Sequence, residues 1–80
     1  MTKNPEWVLI GRLMELTKNW TPFERVIEPE VKAELEEIGR ELDKLGGLEL
    51  MQYAYRQARL VNRSVVVIQS YWDGIGDWRW

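Results

Sequence analysis

The chain has 80 residues, 45% of them hydrophobic, with five Trp, no Cys and no His, which predicts one small domain over residues 1–80 held together by packing alone. Without imidazole or thiol, zinc fingers, haem and iron–sulfur ligation, thiol nucleophiles, Ser-His-Asp triads and disulfide scaffolds are excluded. A net charge of −2 argues against nucleic acid as the main partner. Apolar runs such as Trp7 to Ile10 are too short for a membrane span, so a soluble, cytoplasmic protein with no membrane partner is expected.

Asn4-Pro5-Glu6 reads as a helix start: Asn caps, Pro takes the first helical position, and Glu meets the positive end of the dipole. Trp7, Ile10, Met14 and Thr17 follow helical spacing, and Leu13, Leu16 and Trp20 widen the apolar side. Trp7 and Trp20 are thus expected in the core, and Gly11 is expected to admit a close neighbour. Thr21-Pro22-Phe23-Glu24 repeats the start signal in capping-box form. Pro29 pushes Glu28 out of helical dihedrals and limits 22–27 to a short turn, with Phe23, Val26 and Ile27 packed down.

From Pro29 to Leu45, Val31, Leu35, Ile38, Leu42 and Leu45 draw one narrow apolar stripe, ended by Gly46-Gly47. A further helix runs from Leu48 to about Val61, with Leu48, Met51, Tyr55 and Ala58 on one face, Leu50, Ala54 and Val61 beside it, and Asn62 as its stop. Residues 64–72 have strong β propensity in Val65-Val66-Val67-Ile68. A lone strand leaves its backbone groups unpaired, however, and Val65, Ile68 and Trp72 share a helical face. The predicted fold is all-α: a small antiparallel bundle of three to four helices with a Trp-rich C-terminal lid. The alternative is α+β, with residues 7–13 and 64–72 as a strand pair.

Charge is unevenly placed. Residues 1–50 hold eleven acids and seven bases, a balance of −4, whereas residues 51–80 hold two acids and four bases, or +2. Lys32, Glu36, Arg40, Asp43 and Lys44 form a mixed row, with Glu36 and Arg40 in the favourable i,i+4 order. Glu30, Glu34, Glu37 and Glu41 form a row without a base: a docking face for a basic partner, a solvated face, or a row neutralised by the chain's own arginines. Gln52, Arg56, Arg59 and Arg63 share its 4, 3, 4 spacing, with Tyr53 and Tyr55 nearby. Pairing with the glutamate row, in the same molecule or a neighbouring one, is the expected use of those arginines, and phosphate or nucleic-acid binding through Arg56, Arg59 and Arg63 is the alternative. If the rows pair, reversing Arg59 should destabilise the protein and reversing Glu37 should partly restore it.

Within Trp72-Asp73-Gly74-Ile75-Gly76-Asp77-Trp78-Arg79-Trp80 the glycines allow a reversal. Trp78 and Trp80 then either lid the core or, with Arg79, stay exposed as a partner-binding anchor. Asp73 and Asp77 lack the oxygen density of a calcium loop, and no phosphate-binding glycine pattern occurs. No metal, no cofactor and no enzymatic activity are therefore expected. The run from Glu41-Leu42-Asp43-Lys44-Leu45-Gly46-Gly47 through Leu50-Met51 to this tail resembles small uncharacterised bacterial proteins of a cyanobacterial type. That resemblance implies a small stand-alone protein and no particular activity. The expected function is a non-enzymatic protein-interaction module that binds an unknown protein or forms a homodimer. It would use the acidic row or the Trp tail.

Overall fold

Pro5 forgoes no hydrogen bond at the first helical position, and Glu6 complements the dipole. Helix α1 accordingly spans Pro5–Thr17 in the computed structural model, which describes residues 5–20 and 28–79. Asn4, the 22–27 turn with Phe23, Val26 and Ile27, and Trp80 lie outside those residues. Ile10, Leu13 and Thr17 are buried, and Leu9, Met14, Leu16 and Trp20 pack partly against the core. The Thr17 hydroxyl donates to the Leu13 carbonyl at 2.9 Å, so its burial leaves no polar group unmet. Trp7 departs from expectation: it is 55% exposed and stands edge-on to Tyr53, with centroids 6.1 Å apart. Helical periodicity puts it about 80° around α1 from the Ile10–Leu13–Thr17 centre, at the margin of the buried face. Gly11 lies further round and faces open space rather than a close neighbour.

Helix α2 is Pro29–Val61, 33 residues. Straight, it would measure about 50 Å, yet the longest dimension of the molecule is 38 Å. The bend is at Gly47, whose φ of +65° and ψ of −156° suit glycine and strain any other residue. The predicted break at Gly46-Gly47 is present as a bend with no intervening loop. It divides α2 into a first arm (29–46) and a second arm (48–61). Leu35, Ile38 and Leu42 from the first arm and Met51, Ala54, Tyr55 and Ala58 from the second share one core with Ile10 and Leu13. Leu45, just before the bend, and Val61, in the last turn, are exposed instead of joining their stripes. Both lie at arm ends, where the opposing helices no longer cover the apolar face.

Asn62 ends α2 and ties its end to α1. Its Nδ2 donates to the Thr17 and Trp20 carbonyls, both at 2.8 Å, and its Oδ1 accepts from the Ser64 amide at 2.9 Å. The Thr17 carbonyl is one that the end of α1 leaves without an intrahelical partner, and the Trp20 carbonyl lies in the segment just beyond it. Asn62→Ala should cost about 1–3 kcal/mol in urea denaturation. An unchanged midpoint would mean that water replaces all three bonds without penalty.

The chain then forms a 3-10 turn, Arg63–Val67, and helix α3, Ile68–Trp72. Residues 64–72 are thus helical as expected, though the first part winds more tightly, and the strand-pair alternative is overturned. Residues 7–13 lie within α1 and offer no sheet edge, and no strand occurs among the described residues. Val65, Ile68 and Trp72 are fully buried. The Trp72 indole donates to the Leu35 carbonyl at 2.8 Å, and a Cβ placed on Gly39 would stand 2.7 Å from its Nε1. Gly39 is therefore the window through which Trp72 reaches the α2 backbone.

Two successive turns reverse the tail: Ile75 N–H donates to Trp72 O at 2.9 Å and Trp78 N–H to Ile75 O at 3.0 Å. Trp78 is 6% exposed and donates its indole proton to the Gln69 carbonyl at 3.1 Å. Its ring meets Trp72 edge-on at 5.2 Å and Tyr55 at 5.9 Å, geometries that aromatic quadrupoles favour. The molecule is an all-α bundle closed by a Trp-bearing C-terminal segment, and no described helix is long and apolar enough to cross a membrane.

Candidate functional site

Three of the four carboxylates in the acidic row have local partners. Arg12 of α1 grips Glu34 with two nitrogens, Nε to Oε2 and Nη2 to Oε1, the latter at 2.9 Å. Glu37 pairs with Arg40 at 2.8 Å and Glu41 with Lys44 at 3.4 Å, each three residues along the same helix. Glu30 is exposed at the start of α2, with no ion-pair partner among the described residues. Arg56, Arg59 and Arg63 pair with none of the four, which corrects the expected row-to-row pairing within one molecule. A base one helical turn away, or directly across from α1, reaches the carboxylates first. Arg40 pairs with Glu37 rather than with Glu36 at the expected i,i+4 spacing. Reversing Arg59 and Glu37 together should therefore give additive changes in thermal stability, and a coupled cycle would restore the row-to-row pairing.

Hydrogen bonding from Arg12 holds the Glu34 carboxyl below the usual range, and Arg40 does the same for Glu37. A carboxylate whose folded pKa is depressed stabilises the fold above its unfolded pKa and loses that contribution as pH falls through the folded value. Acid titration should thus weaken the fold below the ordinary glutamate range. Glu34→Gln should flatten that part of the stability–pH curve, and an identical curve for the variant would contradict the assignment. Both pairs are solvent-exposed, so the effect is small.

The arginine row has a different setting. The second arm of α2 buries Met51, Ala54, Tyr55 and Ala58, so helical periodicity turns Tyr53, Arg56 and Leu60 to the opposite side. Arg56, Arg59 and Arg63, with Gln57 and Leu60, line an open groove of about 640 Å³. No carboxylate among the described residues pairs with any of the three guanidiniums. Leu60, at 80% exposure, stands among them. Farther along the outward face, Tyr53 carries Trp7 against it.

Trp78 belongs to the core, which removes it from the exposed anchor pair; burial against Trp72 and Tyr55 gives the indole more contact than solvent could. Arg79 is exposed beside it and donates to the carbonyls of Gly76 at 3.1 Å and Trp78 at 2.8 Å. Trp80 lies outside the described residues. No group of three or more acidic side chains suited to a metal ion occurs among the described residues. No protein family, curated protein or solved structure matches the chain, and the resemblance to small bacterial proteins gains no support from them.

Leu60 was the residue that spacing alone passed over. It lies two turns from Tyr53 and on the side opposite Ala54 and Ala58, so its outward position was available from periodicity once the buried face was fixed. Gln69 carries no such signal, because only the packing of α3 on α2 brings it beside Tyr55, and Arg79 reaches the same cleft only through the tail reversal.

Proposed function

We propose that the protein is a non-enzymatic interaction module that docks an acidic, partly apolar segment of a partner protein on the outward face of the second α2 arm. The observation that carries this reading is Leu60, 80% exposed among three arginines that no described carboxylate neutralises. Arginine and aromatic side chains supply most interface hot spots; Arg56, Arg59 and Arg63 line the groove with that leucine, and Tyr53 with Trp7 lies farther along the same outward side. A second copy of the chain is one eligible partner. Its Glu30, Glu37 and Glu41 are exposed or held in weak surface pairs that can be exchanged. Nucleic-acid binding through Arg56, Arg59 and Arg63 is the second reading, favoured by their gathering in one groove. A phosphate backbone gains little from Leu60, and the net charge of −2 opposes long-range attraction of a polyanion.

The test compares a helical peptide of interleaved Glu and Leu, an all-Glu peptide and an oligothymidylate in direct titrations, with sedimentation for self-association. Preferred binding of the Glu/Leu peptide or self-association, weakened about tenfold by Leu60→Asp and by Arg59→Glu, supports docking. Oligothymidylate binding that falls steeply with salt and ignores Leu60→Asp establishes the nucleic-acid reading instead. A strict monomer that binds none of the three overturns both.

A further inference from the structure

On the other side of Arg56 the fold builds a second cleft, of about 470 Å³, within the size range of about 300–1,000 Å³ typical of small-molecule sites. The second arm of α2 contributes Gln52, Tyr55 and Arg56, α3 contributes Gln69, and the reversed tail contributes Trp78 and Arg79. Tyr55, Gln69 and Trp78 are linked to one another before any ligand arrives. Gln69 donates its side-chain amide to the Tyr55 hydroxyl oxygen at 3.1 Å, while its carbonyl accepts the Trp78 indole proton at 3.1 Å. Tyr55 is only 7% exposed, and its own O–H proton has no acceptor among the described residues. Lining the cleft, the hydroxyl keeps that proton to donate to a bound acceptor. Asp77 stands at the rim, and one carboxylate against two guanidiniums leaves one positive charge.

We infer that this cleft binds a small organic monoanion. Arg56 and Arg79 take its oxyanion, and the Tyr55 hydroxyl with the Gln52 and Gln69 amides reads a polar ring laid beside Trp78. The oxyanion is a carboxylate or a phosphodiester, each singly charged at neutral pH. This site is distinct from the Leu60 groove, although Arg56 borders both.

Orotate, a ring carboxylate, and 3′,5′-cyclic AMP, a ring phosphodiester, serve as probes, with acetate as the bare anion. The readout is the amide and indole N–H spectrum of the isotope-labelled full chain. At least one ring-bearing probe should shift the Trp78 indole and the Gln52 and Gln69 side-chain resonances saturably, with an affinity about tenfold or more above that of acetate. Which probe does so identifies the source of the oxyanion. Arg79→Gln and Tyr55→Phe should each weaken that binding several-fold, and an unshifted Trp78 indole resonance in the free variants certifies that the tail remains seated. Should Arg79→Gln unseat the tail, Tyr55→Phe alone decides. Leu60→Asp should leave this binding intact while weakening peptide docking about tenfold, so the two readings fail separately. No saturable shift with either ring-bearing probe, or binding indifferent to Tyr55→Phe, overturns the inference.

Discussion

Trp72→Ala should remove a large share of the protein's stability at 25 °C. Removing a fully buried Trp costs about 3–5 kcal/mol, and a domain of this length commands only about 4–12 kcal/mol in total. Trp72 also supports more than its own area. Its indole holds the Leu35 carbonyl and its ring supports Trp78, so the truncation unseats the tail as well. Trp72→Phe retains most of the ring packing but loses the donor, and should cost less. Far-ultraviolet circular dichroism and urea denaturation measure both variants. A Trp72→Ala protein with a native-like cooperative transition would show that α3 and the tail are dispensable to the bundle.

Gly39→Ala should lower stability by about 1–3 kcal/mol through overpacking, against the ordinary rule that Ala improves a helix interior by about 1 kcal/mol over Gly. The added methyl enters the space of the Trp72 indole, which is fully buried and has nowhere to retreat. Gly11 supplies the internal control, since a Cβ there meets nothing within 4 Å. Gly11→Ala should stabilise by up to about 1 kcal/mol. In a Trp72→Leu background the penalty of Gly39→Ala should largely disappear. A Gly39→Ala variant as stable as the parent would mean that α3 shifts along the first arm without cost.

Periodicity carries information about a helix's own faces and little about which neighbour each face meets. Leu35, Ile38 and Leu42 were legible as core, and Val65, Ile68 and Trp72 outweighed the β propensity of their segment, because each trio repeats at helical spacing. Trp7 fits the same spacing, but it sits at the margin of the stripe, where a neighbouring helix decides burial and the sequence does not name that neighbour. Gly39 continues the Leu35–Leu42 stripe, but only the path of α3 reveals that an indole fills its notch. The acidic row was visible as a row. Its partners depended on the α1–α2 contact and on competition from bases one turn away. Of the candidate sites, the spacing of Arg56, Arg59 and Arg63 was plain from the chain, whereas the cleft between Arg56 and Arg79 needed the tail to turn back.

The bend at Gly47 has a kinetic consequence. Two helical arms adjacent in sequence and joined without a loop can meet after closing the shortest possible connection, so their shared surface needs little chain entropy to form. A helical domain dominated by such local pairing is expected to fold in microseconds to milliseconds. The long-separation links, Asn62 to Thr17 and Trp72 to Leu35, can then close on a hairpin already made. Glycine at this position thus shortens the search for the native state as well as shaping the state itself.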